Sequence, residues 1–136
     1  MLRILYVDDD LEDIEIFHEA VKAVDAPIQY TSATSAKEAL EILQTLKALP
    51  DYIVLDINMP GMDGKRCLKE IRTEKRFDAI RIIIYSTNSF PQDIQQIEAL
   101  GATFIRKANS FNELCQMVNY LVHGDASGYG NKEIRK

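Results

Sequence analysis

Asp51-Tyr-Ile-Val-Leu-Asp-Ile-Asn-Met-Pro-Gly-Met-Asp-Gly64 runs from a short apolar stretch, Tyr52 to Leu55, through an acid into Asn58, Pro60, Gly61 and Gly64. An apolar run of that length reads as a buried strand, and Pro and Gly punctuate regular structure, so a strand passes here into a loop. Asp56 stands where the strand ends. In an open α/β sheet that position lies at the carboxyl edge of the strands, where such sheets bind ligands and do chemistry.

Working outward, Leu2 to Val7 is a second apolar run, broken only by Arg3 and ending in Asp8, Asp9 and Asp10. Near-continuous apolar runs are the mark of strands covered on both faces, as in a parallel sheet. Leu11, Ile14, Phe17, Val21 and Val24 then recur at helical spacing behind Asp10, the natural N-cap, with Asp13 strengthening the first turn. Ile28 to Thr31 is a short strand. Ser35 with Glu38 forms a capping-box pattern ahead of a helix over residues 35 to 48, which Pro50 ends.

Beyond Gly64 a helix turns Cys67, Leu68 and Ile71 inward, and Ile80 to Tyr85 is the next strand, rich in β-branched residues. Pro91 suits the first turn of a helix that Gly101 terminates in the left-handed conformation. Ala102 to Arg106 is a weaker strand with Lys107 at its end. Ser110 with Glu113 caps a last helix, closed by Gly124, and residues 124–136 read as a flexible C-terminal tail. Five strands alternating with five helices imply an α/β, doubly wound parallel sheet with right-handed crossovers. The strand ends then gather Asp8, Asp9, Asp56, Ser86, Thr87 and Lys107 on one edge.

A chain of 136 residues holds one domain, and 46% hydrophobic with 27% charged residues is a globular balance. The net charge of −5 disfavours tracking of phosphate backbones, so no direct nucleic-acid contact is expected. The first residues are too short an apolar run for a leader or membrane span, and a cytoplasmic protein is expected. Cys67 and Cys115 form no C-x-x-C pair and read as small buried hydrophobes. His18 and His123 read as surface residues, Tyr85 as core packing, and Asp63 as a loop or cap residue.

Gathered carboxylates repel one another unless protonated or bridged by a cation. Mg²⁺ resolves the conflict, because it takes one or two carboxylates, keeps waters and completes its octahedron with phosphate oxygen. With a lysine and a hydroxyl beside it, such a site has the parts phosphoryl transfer needs, and a carboxylate there can become an aspartyl phosphate.

The stretches Ile4-Leu-Tyr-Val-Asp-Asp-Asp10 and Val54-Leu-Asp-Ile-Asn-Met-Pro-Gly-Met-Asp-Gly64, a Ser at the end of the fourth strand and a Lys at the end of the fifth resemble the receiver domain of two-component response regulators. The resemblance covers residues 2 to about 123, and residues 1–123 are expected to form the one receiver domain. It implies a flavodoxin-like five-stranded sheet in the order 2-1-3-4-5, and a phosphoacceptor Asp56 that takes its phosphoryl group from a sensor histidine kinase or phosphotransfer protein. It also implies a metal pair in Asp8 and Asp9, with Mg²⁺ as cofactor also held by Asp56 and the backbone carbonyl of Asn58. Ser86 would be the switch hydroxyl, with Thr87 after it, Lys107 the partner of the phosphoryl oxygens and Phe104 the aromatic switch residue.

The implied function is that of a stand-alone single-domain regulator whose fourth helix, fifth strand and fifth helix form a switchable face for a downstream protein. Two departures stand out from the family pattern. Ala108 replaces the usual Pro after the lysine, so either a trans bond with a rearranged loop or a cis bond under strain is expected. Thr87 occupies a position that is normally small and is expected to narrow access to the acyl phosphate. Two other functions fit less well. A Mg²⁺-dependent phosphohydrolase would need an acid where Asn58 stands; a phosphorylation-independent binding module draws support only from Ala108 and Thr87.

Overall fold

The apolar runs build β1 (Leu2–Val7), β2 (Ile28–Ala33), β3 (Tyr52–Leu55), β4 (Arg81–Ser86) and β5 (Thr103–Arg106). Between and after them lie α1 (Leu11–Ala23), α2 (Ala36–Thr45), α3 (Gly64–Arg72), α4 (Pro91–Ala99) and α5 (Phe111–His123), with a 3-10 turn at Lys75–Phe77. The computed structural model describes residues 1–59, 61–87 and 91–123. All strand pairs are parallel, in the order β2-β1-β3-β4-β5. This is the doubly wound, flavodoxin-like arrangement expected.

Strand side chains alternate between the two faces, so each strand feeds two cores. Leu5, Val7, Ile53, Leu55, Ile82, Ile84 and Phe104 pack with Leu43, Leu68, Ile71 and Ile97 of α2, α3 and α4. Ile4, Tyr6, Tyr52, Val54, Ile83, Tyr85 and Ile105 pack with Phe17, Val21, Met117 and Leu121 of α1 and α5. Side chains as fully enclosed as Phe17, Leu43 and Leu68 each contribute about 1.5–3 kcal/mol by leaving water. Both faces of the central strands are therefore closed, and only their ends are open to chemistry.

Local signals set most boundaries. The Asp10 carboxylate caps α1 by accepting from the Glu12 and Asp13 amides, and Asp63 caps α3 by accepting from Arg66. Gly101 adopts φ +77 and closes α4, its amide reaching the Glu98 carbonyl. Ser110 Oγ accepts from the Glu113 amide at the start of α5.

Some details differ from expectation. Ser35 Oγ accepts from Glu38 N, but the Glu38 carboxylate turns to the Thr34 amide at 2.7 Å instead of closing the box on Ser35. The second strand extends to Ala33 because its full length pairs with β1. The fourth strand is shifted one residue onward, since Arg81 is held by the Asp51 carbonyl and Ile80 by the 3-10 turn, which the sequence pattern did not reveal. α2 ends at Thr45 and β5 begins at Thr103. Cys67 is buried, whereas Cys115 is only half-buried against the α1/α5 core. His18 is exposed but stacks on Tyr30 with ring centroids 4.7 Å apart. Pro60, Asn88, Ser89, the Gly124 helix stop and the expected tail over 124–136 lie outside the described residues.

Candidate functional site

Main-chain ladder bonds carry two carboxylates one step past their strands. The Asp8 amide donates to the Ala33 carbonyl at 3.1 Å, and the Asp56 amide to the Val7 carbonyl at 2.9 Å. Asp8 is completely buried, Asp56 nearly so, and Asp9 is exposed. One oxygen of each lies within 4.8 Å of the others. Asn58 follows with its amide 3.4 Å from Asp56 Oδ1.

Gly64 makes the turn after β3 possible. Its amide donates to the Ile57 carbonyl at 2.9 Å, and a Cβ there would collide with the Asp56 carbonyl oxygen and lie 2.6 Å from Ile57 Cα. The loop is thus pressed against the helix that follows it, which fixes where Asp56 points.

The positive charge arrives from β5. The Lys107 amide donates to the Ser86 carbonyl at 3.0 Å, continuing the ladder, and its side chain runs inward until 14% is exposed. Its ammonium lies 2.9 Å from Asp8 Oδ2, 2.9 Å from Asp13 Oδ2 and 3.9 Å from Asp56 Oδ2. Burial alone would lower the Lys107 pKa, but the carboxylates of Asp13, Asp8 and Asp56 outweigh it and hold the group firmly protonated. Burial pushes the Asp56 carboxyl up from 3.8 to about 6; Lys107 pulls it back, Asp8 pushes it further, the Asn58 amide lowers it and Asp9 raises it.

Two tyrosines border this charged group. The Tyr6 hydroxyl donates to Asp8 Oδ2 at 2.9 Å, while the Asp10 amide donates to Asp8 Oδ1 at 3.0 Å. The Tyr85 oxygen accepts from the Ala108 amide at 3.0 Å, and its ring centroid lies 5.9 Å from the Lys107 ammonium. No cis peptide bond occurs among the described residues, so Lys107–Ala108 is trans. The N–H that a proline would lack finds its acceptor in Tyr85.

Asp8, Asp9, Asp56 and Lys107 therefore meet as the sequence implied. Ser86 is buried at the end of β4, Thr87 is exposed beyond it, and Phe104 is packed in the α2/α3/α4 core. Sequence reasoning missed Tyr6, Asp13 and Tyr85 as members of the site. Tyr6 had a usable signal, since it precedes Asp8 by two residues and so shares its face of the strand. The Asp13–Lys107 contact spans the fold and left none.

The donor set suits a hard divalent cation. Three carboxylates bring only oxygen, and a single ammonium cannot neutralise them, so Mg²⁺ fits the residues present. A cavity of about 520 Å³ lies at the opposite edge beside Pro50, Arg76 and Arg81, and none of these groups lines it.

The chain is similar to known proteins in sequence and in fold. A protein-glutamate methylesterase/protein-glutamine glutaminase of Methanococcoides burtonii is 34% identical over 90% of this chain, which spans 34% of that relative's length. The chemotaxis response regulator CheY4 of Vibrio cholerae superposes with a TM-score of 0.75 at 28% identity, over 89% of this chain and 98% of that one. The phosphorylated cyanobacterial phytochrome response regulator RcpA gives 0.81 at 26% identity, over 93% and 95%. No helix among the described residues is long and apolar enough to cross a membrane. The family model of the response regulator receiver domain matches residues 4–119, and the chain belongs to that family.

Proposed function

We propose that this receiver domain is a phosphoacceptor switch in which Asp56 takes a phosphoryl group from a sensor histidine kinase or phosphotransfer protein. A carboxylate oxygen of Asp56 attacks phosphorus, the bond from phosphorus to the donor's imidazole nitrogen breaks, and that nitrogen keeps the electron pair. The observation that carries this reading is the convergence of Asp8, Asp9 and Asp56 within 4.8 Å, with the Lys107 ammonium 3.9 Å from Asp56. A 26% identical relative, RcpA, has been crystallised phosphorylated.

Asp8, Asp9, Asp56 and the Asn58 carbonyl would hold Mg²⁺, which when bound neutralises charge on the transferring phosphoryl oxygens. Lys107 supplies a second positive charge and Ser86 a hydroxyl to the product. The added charge on Asp56 shifts the population of α4, β5 and α5, with Ser86, Thr87 and Phe104 responding, and so alters a surface that a downstream protein reads. Asn58 at the position where a hydrolase would need an acid leaves the acyl phosphate time to act.

The test is incubation with Mg²⁺ and a small acyl phosphate, followed by intact mass. The wild type gains one phosphoryl group, and Asp56→Asn gains none. No gain in the wild type, or an equal gain in both, overturns the reading.

A further inference from the structure

We propose that Asp13 is a positioning residue of this site: it holds the Lys107 ammonium on the α1 side, and Asp56 draws that ammonium away when it becomes phosphorylated. The inference rests on the phosphoacceptor reading of Asp56.

The placement of Asp13 follows from the helix cap. Asp10 Oδ1 accepts from the Glu12 amide at 2.9 Å and the Asp13 amide at 3.4 Å, which fixes the first turn of α1. Side chains on a helix lean toward its N-terminus, so Asp13 reaches back over the carboxyl edge of the sheet. A first-turn acid also interacts with the helix dipole, but that role needs no cation, and Glu12 already fills it.

Lys107 hydrogen-bonds to Asp8 and Asp13 and stands outside hydrogen-bond range of Asp56. Its two partners differ in how readily they can let go. The Asp8 side chain is 1% exposed and is also held by the Tyr6 hydroxyl; it cannot lose the ammonium without leaving a charge in the core. The Asp13 side chain is 35% exposed, so water replaces what it loses. A phosphoryl group on Asp56 offers more negative charge and stronger acceptors than the carboxylate it replaces. Lys107 then keeps Asp8 and exchanges Asp13 for a phosphoryl oxygen. The state of Asp56 is thereby reported to α1 as a carboxylate that has lost its partner.

The test uses beryllium fluoride at saturating Mg²⁺ as an unreactive stand-in for the phosphoryl group, and Mg²⁺ alone as a second probe. Asp13→Ala frees Lys107 and is expected to bind beryllium fluoride about fivefold tighter, and Mg²⁺ alone about twofold more weakly. A merely structural loss would weaken both. In the Lys107→Gln background the Asp13→Ala step changes neither affinity, and Asp13→Glu restores wild-type values. Unchanged binding in Asp13→Ala, or the same change without Lys107, overturns the role of Asp13 and leaves the phosphoacceptor reading intact. A wild type that binds no beryllium fluoride overturns both.

Discussion

Arg72 and Lys107 are both drawn into this fold, one at each edge of the sheet, and they are held in different ways. At the amino edge Arg72 of α3 donates to the carbonyls of Leu100 (2.9 Å), Phe77 (3.2 Å), Ile80 (3.2 Å) and Gly101 (3.5 Å). At the carboxyl edge Lys107 faces the carboxylates of Asp8, Asp13 and Asp56. Burial pulls the Arg72 pKa down, with Asp78 partly restoring it, whereas carboxylates raise that of Lys107. Main-chain acceptors belong to the fold itself: Arg72 pins the 3-10 turn, the lead into β4 and the turn before β5, and can move only if they do. Side-chain acceptors can exchange. The first arrangement is fastening, the second a place where charge can be redistributed.

The largest effect expected from this contrast is on stability. Arg72→Met removes charge-assisted donors from four carbonyls and is expected to cost about 3 kcal/mol in urea denaturation, with or without Mg²⁺. Lys107→Met leaves crowded carboxylates without their cation, and Mg²⁺ should return much of the stability it loses. If Mg²⁺ rescued Arg72→Met equally, the distinction between the edges would fail.

A smaller effect of opposite sign belongs to Asp56 in the metal-free protein. Its carboxyl titrates at about 6 in the fold against an ordinary 3.8. Below about pH 4 both states are protonated and the group is neutral to folding. Between about pH 4 and 6 the unfolded chain has given up a proton that the native state still keeps, so stability falls across that window and levels off above it. Asp56→Asn removes that penalty and should be about 2 kcal/mol more stable than wild type at pH 7, the difference closing near pH 4. Paired thermal melts across that range check it; a constant difference at all pH values would count against the burial of an ionised carboxylate as the cause.

The contrast also explains what could be read without coordinates. The strands were legible because both of their faces are buried, and Asp10, Asp63 and Gly101 were legible because caps act within a few residues. Asp8, Asp9, Asp56 and Lys107 were legible because topology brings strand ends together whatever the side chains do. Arg72 was not, since its acceptors are main-chain atoms up to 29 residues away and leave no trace in residue type. Asp13 was seen only as a first-turn acid, because its contact with Lys107 crosses 94 residues. Ala108 was visible as a departure from the family pattern, but the residue that answers it, Tyr85, looked like core.

Tyr85 combines the two modes, and its effect should be the smallest. Its ring is part of the α1/α5 core, yet its hydroxyl oxygen is the acceptor for the Ala108 amide beside Lys107. Burial pushes its phenol up to about 12, the Ala108 amide and Lys107 pulling it back, so it stays a neutral phenol through the physiological range. Tyr85→Phe keeps the packing and deletes one neutral hydrogen bond, which is worth about 1 kcal/mol. The Ala108 amide, half-buried, should exchange with solvent about fivefold faster, while the amides of β4 and β5 remain protected. Because the lysine's main chain is tethered separately to Ser86, its ammonium should stay between Asp8 and Asp13, and the extent of phosphorylation at Asp56 should not change. Loss of phosphorylation in Tyr85→Phe would show instead that the loop hydrogen bond, and not the carboxylates, decides where the cation sits.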